Sequence, residues 1–212
     1  LYTGIWKEHQ IMSVYELQGD SIALTLEGKN LHLGIGWDPA QTTFAEKIKG
    51  IAEEHMSGTS KNAHDLNVAA LLRRNDSPDE LVFYGKKHDK SESVHYGADN
   101  RTGSKHGEDE FIEINIEKLP ADLKEIVIFT LIYDGNKYGQ TFGEVKNFFL
   151  QLKDSDNEKV IYRNDSDVYE EEASKHSAYV LGKIKKDADS WKFIPQHRFS
   201  DENTEQDLVD NL

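Results

Sequence analysis

Alternation of apolar and polar residues dominates the chain and predicts β-strands. In Ser21–Leu26 and in Leu31–Gly36 every second residue is apolar, which is the pattern of strands with one buried face. The same reasoning predicts strands at Leu66–Leu72, Leu81–Tyr84, Phe111–Ile116, Ile126–Tyr133, Phe148–Leu152, Val160–Arg163, Tyr179–Ile184 and Trp191–Ile194. Short strands separated by Gly, Asn and Asp turns favour a mainly β fold, a two-sheet antiparallel β-sandwich with a few short helices.

Three local patterns stand out against this alternation. Ile126–Tyr133 is apolar on both faces, which is typical of a central strand covered from both sides. In residues 42–56, Phe44, Ile48 and Ile51 share one helical face, which predicts an amphipathic helix. Pro120 suits the first turn of a helix, so we expect a short helical turn after it.

The chain length favours a single domain. A chain of 212 residues can bury a substantial core. We expect one sandwich domain over residues 12–199 with a helical insertion at 39–62, preceded by an upstream extension or expression remnant at 1–11. Residues 200–212 carry five acidic residues and no basic one, so we expect an acidic, frayed and solvated tail.

Charge and composition restrict the function. The chain has 25 Lys and Arg residues against 39 Asp and Glu residues, a formal net charge of −14 at pH 7. Nucleic acid and anionic lipid would be repelled, whereas a metal cation would be attracted. The absence of cysteine excludes disulfides, thiolate zinc sites and cysteine nucleophiles. No apolar run approaches the ~18 residues of a membrane span, so we expect a soluble, cytoplasmic protein.

An acidic loop, residues 97–110, is the first candidate site. It is punctuated by glycine, leads directly into a predicted strand and carries oxygen donors suited to calcium, which takes about six to eight oxygen ligands. These donors are Asp99, Asn100, Glu108, Asp109 and Glu110. The loop lacks the glycine and flanking helices of an EF-hand, so a solvated surface turn is the alternative.

A second pair of oxygen donors precedes a predicted strand. Asp65 and Asn67 are two residues apart, so on a strand both side chains point to one face. Together with the acidic loop they could close a calcium site at the end of a sheet, although a cap or turn role is equally ordinary for them. Acid–base hydrolysis by the same carboxylates is a further alternative.

Several motifs resemble those of the TerD-type tellurium-resistance and stress-response family. The most specific are Gly34-Ile35-Gly36-Trp37-Asp38 and Asp99-Asn100-Arg101-Thr102-Gly103; others are Asp65-Leu66, Val82-Phe83-Tyr84, Asp109-Glu110, Phe142-Gly143-Glu144-Val145 and Trp191-Lys192-Phe193. The resemblance implies a mainly β sandwich, calcium held by acidic loops at one edge of the sheets, and a non-catalytic part in bacterial resistance to tellurite and other chemical or phage stress. Other tellurium-resistance proteins are the partners it implies, and membrane-surface association is expected only through a partner.

Departures from the family pattern predict weaker calcium binding. The family's DxDLD pattern becomes Ala63-His64-Asp65-Leu66-Asn67, and Ser104, Lys105 and His106 replace part of its acidic run. Because affinity follows the charge of the ligands, calcium is expected to bind weakly or to be lost at one of two family sites. The alternative is a calcium-independent protein-interaction module on the same fold with a degenerate metal site. Deletion of residues 39–62 would distinguish the two hypotheses, since an interaction module would lose its partners whereas a calcium site would be retained.

Overall fold

The computed structural model describes residues 15–18, 21–38, 64–97, 107–165, 170–200, 202 and 204–211. These residues form twelve strands: β1 (Tyr15–Gln18), β2 (Ser21–Leu26), β3 (Asn30–Asp38), β4 (Leu66–Arg74), β5 (Glu80–Val82), β6 (Val94–Tyr96), β7 (Glu110–Asn115), β8 (Leu123–Ile132), β9 (Lys146–Asp154), β10 (Lys159–Asp165), β11 (Ala178–Asp187) and β12 (Ser190–Ser200). They also form the short helices α1 (Gly135–Tyr138), α2 (Glu170–Ala173) and α3 (Glu205–Asn211), and 3₁₀ turns at Ile116–Lys118 and Phe142–Glu144.

The strands assemble into two antiparallel sheets. One has seven strands in the order β1-β2-β12-β11-β8-β4-β5, and the other has five in the order β10-β9-β3-β7-β6. The main core lies between them and includes Leu33 and Ile35 of β3, Ile112 of β7 and Ile128 of β8, all without exposed surface. The prediction of a two-sheet antiparallel β-sandwich is confirmed.

A second core covers the outer face of the seven-stranded sheet. Leu71, Phe129, Leu131 and Val180 point outward from β4, β8 and β11 and pack with Leu208 of α3. The prediction that Ile126–Tyr133 is a central strand covered on both faces is therefore confirmed over the extent of β8. None of the described helices has the length and apolar character needed to cross a bilayer.

The structure corrects two local predictions. Residues 204–211 do not form a frayed tail: they include α3, whose Leu208 is fully buried, because the outer sheet face offers an apolar surface that local composition does not reveal. The residues after Pro120 form a single isolated turn and not a helix. The Leu123 N–H closes this turn by donating to the Pro120 carbonyl at 3.0 Å, and β8 begins at Leu123. The predicted helix within residues 42–56 and the extension at 1–11 lie outside the described residues.

Two strands were not predicted from the pattern. Strand β1 is four residues long and β6 only three, too short to show alternation. Strand β6 is positioned by Asp89, whose buried carboxylate accepts hydrogen bonds from the backbone N–H groups of Ser93 at 2.7 Å and Val94 at 2.8 Å. A side chain outside the strand therefore determines where it begins.

Candidate metal site

Asp109 and Glu110 lie at the start of β7, where both side chains are fully buried. Glu110 pairs with Ile35 of β3, and the backbone N–H of Asp109 donates to the Ile35 carbonyl at 2.8 Å. Two carboxylates adjacent in sequence are thus removed from water at one end of the sandwich. Buried carboxylates require compensation by hydrogen bonds, by a cation or by protonation.

Backbone N–H groups supply part of this compensation. The Trp37 N–H donates to Oδ2 of Asp109 at 2.9 Å, and the Val68 N–H donates to Oε2 of Glu110 at 2.8 Å. Because Val68 belongs to β4 of the other sheet, the Glu110 side chain crosses the interior between the sheets. Asp109 and Glu110 thereby join the described end of the acidic loop to both β3 and β4.

The structure brings the described end of the acidic loop, residues 107–110, to the same end of the sandwich as Asp65 and Asn67, but Glu110 and Asn67 lie on different faces of β4. Val68 belongs to the core between the sheets, whereas Ala69 and Leu71 belong to the outer core. Alternation along β4 therefore places the buried Asn67 on the outer face, away from Glu110. Asp65 is partly exposed, and its carbonyl accepts a hydrogen bond from the Tyr133 N–H at 2.8 Å.

Glu108 has two basic side chains as partners within the fold. Its carboxylate lies 2.7 Å from Nε2 of His32 and 3.2 Å from Nζ of Lys153. Burial raises the pKa of Glu108, but the hydrogen bond from His32 and the charges of His32 and Lys153 outweigh it, so the pKa lies below its ordinary value. This pairing favours a structural role for Glu108 over a ligand role.

Two glycines of β3 allow Gly107 and Glu108 to lie against the sheet. A Cβ at Gly34 would collide with the Glu108 carboxylate, and one at Gly36 would collide with the Gly107 carbonyl and the Phe149 ring. The Gly-Ile-Gly sequence thus lets Gly107 and Glu108 pack on β3, which fixes the position of Asp109.

Trp37 ties three segments together at this end. Besides its backbone bond to Asp109, its indole Nε1 donates to the His64 carbonyl at 3.0 Å. Nε2 of His64 in turn lies 3.2 Å from Oε2 of Glu144. The sequence motifs contain these residues, but only the structure shows that hydrogen bonds link Asp109 through Trp37 and His64 to Glu144.

The donor chemistry fits calcium, although the described residues supply only part of a ligand set. Within the described ranges, no group of three or more His, Asp or Glu side chains is placed to hold a metal ion. The predicted donors Asp99 and Asn100 lie outside those ranges. Asp109 and Glu110 provide hard carboxylate oxygens in a buried position, which is the donor type that calcium prefers.

Comparisons with known proteins agree with this architecture. The family model described as the TerD domain matches residues 12–198. The chain is 29% identical over 191 residues to the tellurium resistance protein TerD of Alcaligenes sp., covering 86% of this chain and 88% of that protein. It is 26% identical over 208 residues to the stress response protein SCP2 of Bacillus subtilis (strain 168), covering 93% of this chain and 98% of that protein. A solved TerD homologue, SCO6318 of Streptomyces coelicolor, shares the fold with a TM-score of 0.63 at 17% identity, covering 84% of this chain and 97% of that one.

Proposed function

Because the chain belongs to the TerD family, we propose that it is a calcium-binding, non-catalytic cytoplasmic protein that serves bacterial tellurite resistance and the response to chemical or phage stress. Relatives with tellurium-resistance and stress-response names support this role. The partners we expect are other tellurium-resistance proteins, and a membrane surface would be reached only through such a partner.

The complete burial of Asp109 and Glu110, which are consecutive in the chain, is the observation that carries the calcium proposal. A carboxylate that is buried loses its hydration, which disfavours its ionised form unless other groups compensate it. The N–H groups of Trp37 and Val68 offset part of this cost. A bound divalent cation would add a direct charge attraction to carboxylate oxygens of this kind.

We assign the ligand role chiefly to Asp109 and Glu110, with Asp99 and Asn100 as the further donors of the same loop. Asp65 and Asn67 remain predicted ligands, but the outer-face position of Asn67 makes them secondary. Glu108, held by His32 and Lys153, would position the loop rather than contact the ion. Calcium would supply charge compensation and order to the loop.

Isothermal titration calorimetry with calcium on the full chain tests the proposal. We expect saturable binding, with a dissociation constant raised at least about tenfold by Asp109→Asn, because affinity follows ligand charge. Glu171→Gln removes the same charge from an exposed side chain on α2 and should leave binding unchanged. Calcium at one hundred times its dissociation constant should also stabilise the wild-type chain by about 2.7 kcal/mol.

Asp109→Asn makes the test sharper because its effect on stability should depend on calcium. In chelator the variant should be as stable as the wild-type chain or more so, since it removes a buried charge and keeps an acceptor for the Trp37 N–H. In calcium it should be the less stable of the two. An unchanged melting temperature at millimolar calcium, without binding heat, would reject the proposal.

The alternative is a calcium-independent protein-interaction module on the same fold. The internal neutralisation of Glu108 favours it, because one acid of the loop already has basic partners. A calorimetric stoichiometry of zero would support this alternative.

A further inference from the structure

A cavity of about 240 Å³ lies at one end of the five-stranded sheet. Its walls come from the start of β3, the end of β7, the turn before β6 and the turn after β9. The polar residues that line it include Asn30, Glu92, His95, Glu113, Asn115 and Ser155. Strands β3 and β7 pair Asn30 with Asn115 at this end and Ile35 with Glu110 at the other. The cavity is therefore about 17 Å along β7 from the acidic loop, separate from the proposed calcium site.

Hydrogen bonds hold the walls of this cavity in place. The Asn115 N–H donates to the Ser93 carbonyl at 2.7 Å, which joins the turn before β6 to the end of β7. The Ser155 N–H donates to the Asn30 carbonyl at 2.8 Å, and the Asn115 side-chain amide donates to the Asn30 side-chain oxygen at 2.9 Å. A ligand would therefore meet a cavity that is already formed and needs little ordering on binding.

Two carboxylates, those of Glu92 and Glu113, face the cavity without a strong basic partner. Neither Lys nor Arg is among the residues that line it. Within the described part of the chain, the Glu92 carboxylate takes part in no hydrogen bond or ion pair. Oε2 of Glu113 lies 3.5 Å from Nδ1 of His95, which is longer than an ordinary hydrogen bond. Because ionised carboxylates only accept hydrogen bonds, the cavity suits a ligand that brings donors and positive charge.

We propose that this cavity binds a short aliphatic diamine, with one ammonium group at Glu92 and the other at Glu113. The two positive charges match the two carboxylates, and each ammonium group brings three hydrogen-bond donors for charge-assisted bonds. The volume of about 240 Å³ is below the ~300 Å³ at which sites for drug-sized ligands begin, so a ligand of few atoms fits. The net charge of −14 favours the approach of a cation.

A diamine fits this cavity better than a metal ion or an anion. Nowhere in the described ranges are three His, Asp or Glu side chains placed to hold a metal ion. An anion would be repelled by Glu92 and Glu113. A neutral polyol could donate hydrogen bonds to the same carboxylates, but it would leave both charges uncompensated, so it is the uncharged comparison in the test.

Chemical-shift mapping by NMR on the full chain, in chelator, tests the proposal. The probes are putrescine, which carries two ammonium groups, n-butylamine, which carries one, and butanediol, which carries none. With putrescine we expect saturable shifts at the amides of Glu92, Ser93, Glu113 and Ser155. Butylamine should bind more weakly, and butanediol should cause no saturable shift. Glu92→Gln and Glu113→Gln should each raise the dissociation constant of putrescine about two- to tenfold.

Two control variants should leave the dissociation constant of putrescine unchanged. Glu171→Gln removes the same charge from an exposed side chain of α2. Asp109→Asn alters the proposed calcium site at the other end of the sheet, so the diamine and calcium proposals can fail independently of each other.

Several results would contradict the diamine site. Equal weakening by Glu171→Gln and Glu92→Gln would show only general charge attraction and would overturn the proposal. Linear shifts, shifts confined to other parts of the chain, or binding of butanediol as tight as that of putrescine would overturn it as well. Binding of butylamine as tight as that of putrescine would overturn the assignment to a diamine.

Discussion

The carboxylate of Glu110 in the five-stranded sheet accepts a hydrogen bond from the backbone N–H of Val68 in the seven-stranded sheet, at 2.8 Å. This bond connects the start of β7 with the start of β4 through the interior of the sandwich. The acidic motif at the edge of the sheets is thus part of the structure that holds them together.

Glu110→Ala should destabilise the chain by about 2–4 kcal/mol, because it leaves the buried Val68 N–H without its acceptor and opens a cavity. Glu110→Gln keeps an acceptor oxygen for the Val68 N–H, so in chelator it should lose much less stability than Glu110→Ala. Urea unfolding of both variants measures the difference. Equal losses in the two variants would show that the charge, not the hydrogen bond, is what stabilises this position.

Gly36→Ala should be more destabilising than Gly34→Ala. The new methyl group at Gly36 meets the Gly107 backbone, which cannot rotate away, whereas at Gly34 it meets the Glu108 side chain, which can move at the loss of its contacts with His32 and Lys153. We expect losses of about 2–3 kcal/mol and about 1 kcal/mol respectively. Chemical denaturation checks the order, and the reverse order would contradict the packing of Gly107 on β3.

Glu108 should stabilise the fold in a pH-dependent way. Burial opposes ionisation of Glu108, but its contacts with His32 and Lys153 hold its pKa below the ordinary value, so its contribution is present above the unfolded-state pKa of about 4.3 and is lost as pH falls through the folded-state value. The stability gap between wild type and Glu108→Gln should therefore narrow on acidification. A gap that does not change between neutral pH and pH 3 would contradict this assignment.

The contribution of Glu205 to stability should have the opposite pH dependence to that of Glu108. Burial raises its pKa, so ionised Glu205 costs stability above the unfolded-state pKa of about 4.3, and this cost disappears as pH falls below that value. Glu205→Gln should be more stable than wild type at neutral pH and lose that advantage in acid. Thermal melts at several pH values measure this difference in stability between Glu205→Gln and wild type. Glu171→Gln is the control variant, whose difference from wild type should not change in this way.

Leu208→Ala should cost about 2–4 kcal/mol, because the fully buried side chain fills the outer core against β4, β8 and β11. Val209→Ala, at a partly buried position of the same helix, should cost less. Equilibrium unfolding of the two variants provides the comparison. A negligible loss for Leu208→Ala would mean that α3 contributes little to the stability of the sheet.

The local pattern of apolar and polar residues determined the position of most of the strands. Alternating segments such as Ser21–Leu26 fold as predicted, because a half-buried strand needs one apolar face whatever its neighbours are. The same holds for the doubly apolar Ile126–Tyr133, which lies in β8 except for its last residue. The identity of the acidic motif and its place before β7 were likewise readable from residue types alone.

Tertiary structure decided which partners the acidic and apolar side chains meet. Glu108, Asp109 and Glu110 are consecutive acids, yet one pairs with His32 and Lys153 while the other two are buried against Trp37 and Val68. Asn67 lies across β4 from Glu110, and the short helix α3 packs its Leu208 into an apolar outer face. The chain sequence specifies which side chains carry charge or apolar surface, whereas strand order and sheet packing determine which distant groups these side chains meet.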